Sequence, residues 1–198
     1  MKHRRIMILW MKNLSNINKI HLNIGEVYIT QTPSVIWTIL GSCISVVFYN
    51  RRLQTGGICH AQLPEKRRQH ENCMKTCPVK CSGRSIDSER FKFVTCSVHH
   101  MLEQFHNYGI QDKEIDVKLF GGANVFQTKE ATNTVGSQNI EMAMKFIQQH
   151  NLHLVSKHIG GKSGITIYFH SHTGKVFLKK HGSVPITLDF LPSGNRTI

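Results

Sequence analysis

Cys43 lies in Thr38-Ile39-Leu40-Gly41-Ser42-Cys43-Ile44-Ser45, a small-residue break between two apolar runs. Seventeen residues on comes His60, in Gly56-Gly57-Ile58-Cys59-His60-Ala61. A thiol becomes a strong nucleophile when a base takes its proton, and an imidazole in reach is such a base. A cysteine on a turn between apolar runs is well placed for that role, with His60 as general acid and base. The spacing by itself decides little. A chain with 6 Cys and 13 His offers many such pairs, and Gly-Ser-Cys also reads as a turn leading into a buried cysteine.

A second group of potential ligands is Cys73, Cys77 and Cys81 at four-residue intervals, with His70 and Cys59 nearby. Three thiols and an imidazole match a tetrahedral zinc set, and iron–sulfur ligation is also compatible. Structural zinc sites, however, pair their ligands in knuckles separated by a longer span. Here one polar stretch would carry them all, so we read it as a solvated or redox-active loop and expect no metal or organic cofactor. Phe120-Gly121-Gly122-Ala123-Asn124 is glycine-rich but has neither dinucleotide-binding nor Walker spacing, so no nucleotide site is expected.

The elements that must hold Cys43 and His60 are read from periodicity. Residues 25–30 form a first strand, stopped by Thr32-Pro33, and 35–40 a second. Ile44 to Tyr49 is apolar, and periodicity alone does not separate strand from buried helix there. Residues 65–88 read as one long polar loop, expected to matter for partner binding or redox response and not for chemistry. Phe91, Val94, Val98, Met101, Leu102 and Phe105 recur at helical spacing until Gly109. Ile115, Val117 and Leu119 alternate as a strand; Ile140, Met144 and Ile147 mark a second helix after Ser137. Strands return at 154–159, 165–169 and 175–178. Strands outnumber helices without strict alternation, which favours a single α+β domain. Residues 1–22 are expected to be a poorly ordered extension, 23–182 the domain, and 183–198 a tail.

The 198 residues carry a formal net charge of +13, with 40% hydrophobic residues. That size supports one sizeable core, and the charge favours acidic partners. The basic residues are dispersed and no nucleic-acid module is recognisable, so nucleic acid is not expected as a partner. No apolar run approaches the roughly 20 residues of a membrane helix, and the short apolar stretch from Ile6 to Met11 lacks a signal peptide's cleavage site. The reading is a cytoplasmic protein with reduced thiols and no membrane insertion.

Read together, the segments around Cys43 and His60, Lys118-Leu119-Phe120-Gly121-Gly122-Ala123-Asn124, Val135-Gly136-Ser137-Gln138-Asn139-Ile140 and Gly160-Gly161-Lys162-Ser163-Gly164 closely resemble the CheD family of chemoreceptor glutamine deamidases. The resemblance runs from about residue 25 to about 180, in the family's order, with the 65–88 loop outside it. It implies a layered sheet-and-helix sandwich like that of other cysteine hydrolases. It also implies a helix after Cys43, whose N-terminus would lower the thiol pKa. The implied reaction converts Gln side chains of chemoreceptor cytoplasmic domains to Glu, releasing ammonia through a Cys43 thioester, and the implied partner is a CheC-type phosphatase. The resemblance assigns Thr38 as the group that orients His60, with Ser42 and Ser45 as competing hydroxyls. Backbone amides of the Gly41-Ser42-Cys43 turn are the expected oxyanion donors, with Gly41 giving the backbone room to turn. The alternative is a non-catalytic chemotaxis adaptor that binds receptors or the phosphatase and has no need of the Cys43/His60 pair.

Overall fold

The computed structural model describes residues 17–65, 83–86, 88–125 and 134–181. A four-stranded sheet takes β1 (Asn18–His21), β3 (Ser34–Leu40), β9 (Ile165–His170) and β10 (Val176–Lys180), in that order. A six-stranded sheet takes β6 (Gly83–Ile86), β2 (Glu26–Thr30), β5 (Thr55–His60), β4 (Ile44–Asn50), β7 (Asp116–Gly121) and β8 (His153–Ile159). The helices are α1 (Ser88–Phe91), α2 (Val94–Asn107) and α3 (Val135–Gln149).

The layering follows from the two-residue period of strands. Every residue of β4 is buried, so neither face of this strand meets water. Its Ile44, Val46 and Phe48 join α2, Met101 and Phe105 among them, in one apolar cluster. Its Val47 joins Ile36, Leu40, Ile167 and Phe169 of the smaller sheet in another. The large sheet is therefore the middle of three layers, with helices on one face and the small sheet on the other. This is the α+β sandwich expected. Gly56 and Gly57 lie inside β5 and not on a turn: an added Cβ would meet the Phe169 ring at one and the Phe105 ring at the other.

Four expectations change. The segment after Cys43 is a strand and not a helix, because Ile44 to Asn50 pairs antiparallel with both β5 and β7. The domain begins earlier than residue 23: β1 pairs parallel with β3, and Leu22 is fully buried. The 65–88 stretch is not all loop, since β6 pairs with β2. The first helical pattern is broken at Phe93, whose extended backbone bridges Leu63 and starts α2 afresh. Cys73, Cys77, Cys81 and His70 lie outside the described residues, as does the 183–198 tail. Among the described residues no cluster of three or more His, Cys, Asp or Glu is arranged to hold a metal. None of their helices is long and apolar enough to cross a membrane.

Candidate active site

The site is assembled between the two sheets. On the inner face of β3, Thr38 stands between Ile36 and Leu40, where a β-branched side chain is favoured and its hydroxyl must find a partner. From the large sheet, His60 closes β5. Val47 lies opposite Ile58, and Ile44 bridges Ala61 through hydrogen bonds of 2.9 Å each way. That register sets Ser45 opposite His60 and Cys43 opposite Gln62. Cys43 and His60 are then diagonal neighbours on one face, a separation that an imidazole can span. Both face the small sheet.

The histidine is held tightly. Thr38 Oγ1 lies 2.7 Å from His60 Nδ1 and 2.7 Å from the Leu22 carbonyl oxygen. A hydroxyl has one proton, and the carbonyl can only accept it. Thr38 therefore donates to Leu22 and accepts from the Nδ1–H of His60. The tautomer follows: Nε2 carries the lone pair. It is buried and has no partner among the described residues. Burial holds His60 down to about 4, with the Leu22 carbonyl acting against it. Burial also pushes the Cys43 thiol up. Both groups rest neutral at pH 7. Cys43 keeps part of its surface exposed, whereas His60 is only 5% exposed. Of the two, Cys43 is the more accessible from solvent.

Of the competing hydroxyls, Ser45 Oγ, on the strand opposite His60, is buried without a partner among the described residues, and neither Ser45 nor Ser42 takes the place of Thr38 at Nδ1. Cys59, though adjacent to His60, points to the opposite face and is fully buried in the helix-side cluster. Cys43 and Cys59 are free thiols, but Cys96 is disulfide-bonded, which departs from the expectation that all the cysteines stay reduced.

The turn bearing Cys43 is gripped through its carbonyls. Ala123 N donates to Gly41 O at 2.7 Å and Gly122 N to Cys43 O at 2.8 Å. Asn139 Nδ2 donates to Ser42 O at 3.0 Å and to Gln62 O at 2.8 Å. Gly41 itself has no positive φ. The need for glycine falls across the contact: Gly121 has φ +97°, and a Cβ there would sit 2.2 Å from Cys43 O. Leu22, Gly121 and Asn139 are the site residues that the sequence reading missed. Gly121 and Asn139 do stand in two of the family-like segments, but no chemistry attaches to their residue types alone.

Comparison with known proteins adds the remaining piece. The sequence model of one family, described as CheD chemotactic sensory transduction, matches residues 78–180. A probable chemoreceptor glutamine deamidase CheD 2 of Geobacter sulfurreducens is 32% identical over 81% of this chain and 89% of its own length. The chain belongs to the CheD family. A Nitratidesulfovibrio vulgaris relative, a probable chemoreceptor glutamine deamidase CheD, is 33% identical over 83% of this chain and 78% of its own. One of the same description from Thermococcus kodakarensis is 30% identical over 82% and 92%. The CheD family match begins inside the 65–88 stretch, so the end of that stretch, with β6, belongs to the family pattern. It starts beyond Cys43 and His60. The pairwise matches are too long to fit C-terminal to residue 78 and take in part of the chain before it.

Proposed function

We propose that this CheD-family chain is a protein-glutamine deamidase that converts Gln side chains on the cytoplasmic signalling region of chemoreceptors to Glu. The observation that carries the reading is the Thr38–His60 contact of 2.7 Å, which leaves Nε2 free as a base on the face that Cys43 shares. An adaptor that only bound receptors would have no use for a histidine fixed in one tautomer.

The steps follow from those positions. His60 Nε2 takes the Cys43 thiol proton, and the sulfur adds to the side-chain carbonyl carbon of the glutamine. The carbonyl oxygen becomes an oxyanion. His60 Nε2–H then protonates the amide nitrogen as the C–N bond breaks, so ammonia leaves and not the poor amide anion. A thioester to Cys43 remains. Water, losing a proton to Nε2, attacks it; the C–S bond breaks, the sulfur recovers the proton and glutamate is released. Thr38 stays hydrogen-bonded throughout and steadies the transient imidazolium.

The formal charge of +13 suits an acidic receptor surface, and the reading places the protein in the cytoplasm with a CheC-type phosphatase as a second partner and no nucleic acid. The test is ammonia release and Gln-to-Glu conversion, followed by mass spectrometry, when purified protein is incubated with chemoreceptor cytoplasmic fragments. Unmodified receptor after prolonged incubation with folded protein contradicts the proposal.

A further inference from the structure

The carbonyls of Gly41, Ser42 and Cys43 are all anchored from the end of β7 and from α3: by the amides of Ala123 and Gly122, the two residues that follow β7, and by the side chain of Asn139 on α3. In a trans peptide the C=O and the following N–H point in opposite directions. Anchoring the Gly41 carbonyl therefore turns the Ser42 N–H away from β7 and α3, and anchoring the Ser42 carbonyl does the same for the Cys43 N–H. Among the described residues, neither of these two amides donates to a backbone carbonyl, whereas the next one, Ile44 N, is taken up by Ala61 O. Two adjacent N–H groups beside the sulfur that no backbone carbonyl takes up, the Cys43 one turned toward its own thiol, are what an oxyanion needs.

Only one of the two planes is held by a side chain. Asn139 is fully buried, 97 residues from Ser42 and 77 from Gln62 in sequence. Both its contacts are to carbonyl oxygens, so the nitrogen must face them, and its two N–H bonds are both spent there. Its Oδ1 is buried without a partner among the described residues, an unfavourable arrangement that packing alone would not require. We infer that Asn139 is a positioning residue for the deamidation: it fixes the Ser42–Cys43 peptide plane so that the Cys43 N–H meets the oxyanion. Through its second bond, to Gln62 O, it also ties the nucleophile turn to the chain two residues past His60. The inference rests on Cys43 being the nucleophile.

Two small probes separate this role from a structural one. Acylation of Cys43 by p-nitrophenyl acetate passes through an oxyanion; alkylation by iodoacetamide does not. Asn139→Ala, and the near-isosteric Asn139→Asp in case the smaller residue fails to fold, should slow acylation and receptor deamidation together by about 10–100-fold, as misplacing a donor does. Iodoacetamide alkylation and KM should stay at wild-type values. Parallel loss of acylation and alkylation would assign Asn139 to the fold or to thiol activation, and unchanged acylation in a folded variant would remove it from the mechanism. A Cys43→Ala protein that still deamidates receptor overturns the underlying reading instead, so the two failures are told apart.

Discussion

Thr38 is the residue whose chemistry depends most on its neighbours. Its hydroxyl donates to Leu22 O and accepts from His60, so Thr38→Val removes the acceptor that selects the Nδ1–H tautomer. The proton carrier stays, and turnover should fall by about 10-fold or more, but by less than His60→Ala, where a loss of about 10²–10⁴ from acid–base catalysis is joined by failure to activate the thiol. Two-bond proton–nitrogen NMR of the His60 ring checks the cause: a single Nδ1–H tautomer in the wild type at pH 7, a mixture in Thr38→Val. Unchanged turnover in Thr38→Val would exclude the hydroxyl. Cys59 makes the contrast. It faces the helix-side core, so Cys59→Ser should cost about 1–3 kcal/mol of stability as a hydroxyl buried in an apolar cluster and leave kcat at the wild-type level. Equilibrium urea unfolding and ammonia release measure the two effects separately. Cys43, His60 and Thr38, to which the proposal gives the roles of nucleophile, base and orienting group, are all legible in the sequence, because each is a chemically distinctive type in a family-like segment. Their supports were not. The acceptor at Leu22 is a backbone carbonyl in a stretch without periodicity, and Asn139 acts on carbonyls far away in sequence, which leave no mark on residue type.

At the scale of elements, the strand order does the placing. β3 and β5 belong to different sheets, and only face-to-face packing of those sheets brings Thr38 to His60. The β4 segment shows where a sequence reading stops: a run of seven residues buried on both faces has no polar side to reveal its period. Its pairing with β5 and β7 decides for strand, and the thiol is thereby denied a helix N-terminus, consistent with a pKa pushed up and not down. The β7 end closes over the Cys43 turn. Gly121→Ala must adopt φ +97° and push a Cβ against Cys43 O, so it should displace the nucleophile and reduce deamidation by about 10²-fold. A crystal structure of the variant with an undisturbed Cys43 turn would refute that cause. At the start of α3, Thr134 caps the helix: its hydroxyl accepts from Ser137 N at 3.1 Å, and the Ser137 hydroxyl answers at Thr134 N. Thr134→Ala should cost about 0.5–2 kcal/mol by urea unfolding.

For the molecule as a whole, burying a neutral histidine makes folding depend on pH. His60 is held at about 4 in the folded protein against the model-peptide value of 6.5. The unfolded chain therefore binds the proton first as pH falls. The contribution of this residue is fully present above 6.5 and is lost from there down to about 4, by about 3 kcal/mol in all. Burial holds His100 on α2 to about 4 as well, and it acts in the same direction. Urea midpoints should drop steadily between pH 7 and pH 4.5; in His60→Gln the drop should shrink, and an unchanged slope would contradict the assignment. The formal charge of +13 has its own consequence: KM for an acidic receptor fragment should rise with salt while kcat holds. The measurement that bears most directly on the central claim is deamidation by Cys43→Ala. With chemoreceptor cytoplasmic fragments as substrate, the folded variant is expected to release no ammonia and leave every receptor glutamine unconverted, while the wild type converts them. Ammonia release by folded Cys43→Ala at the wild-type rate would contradict the account.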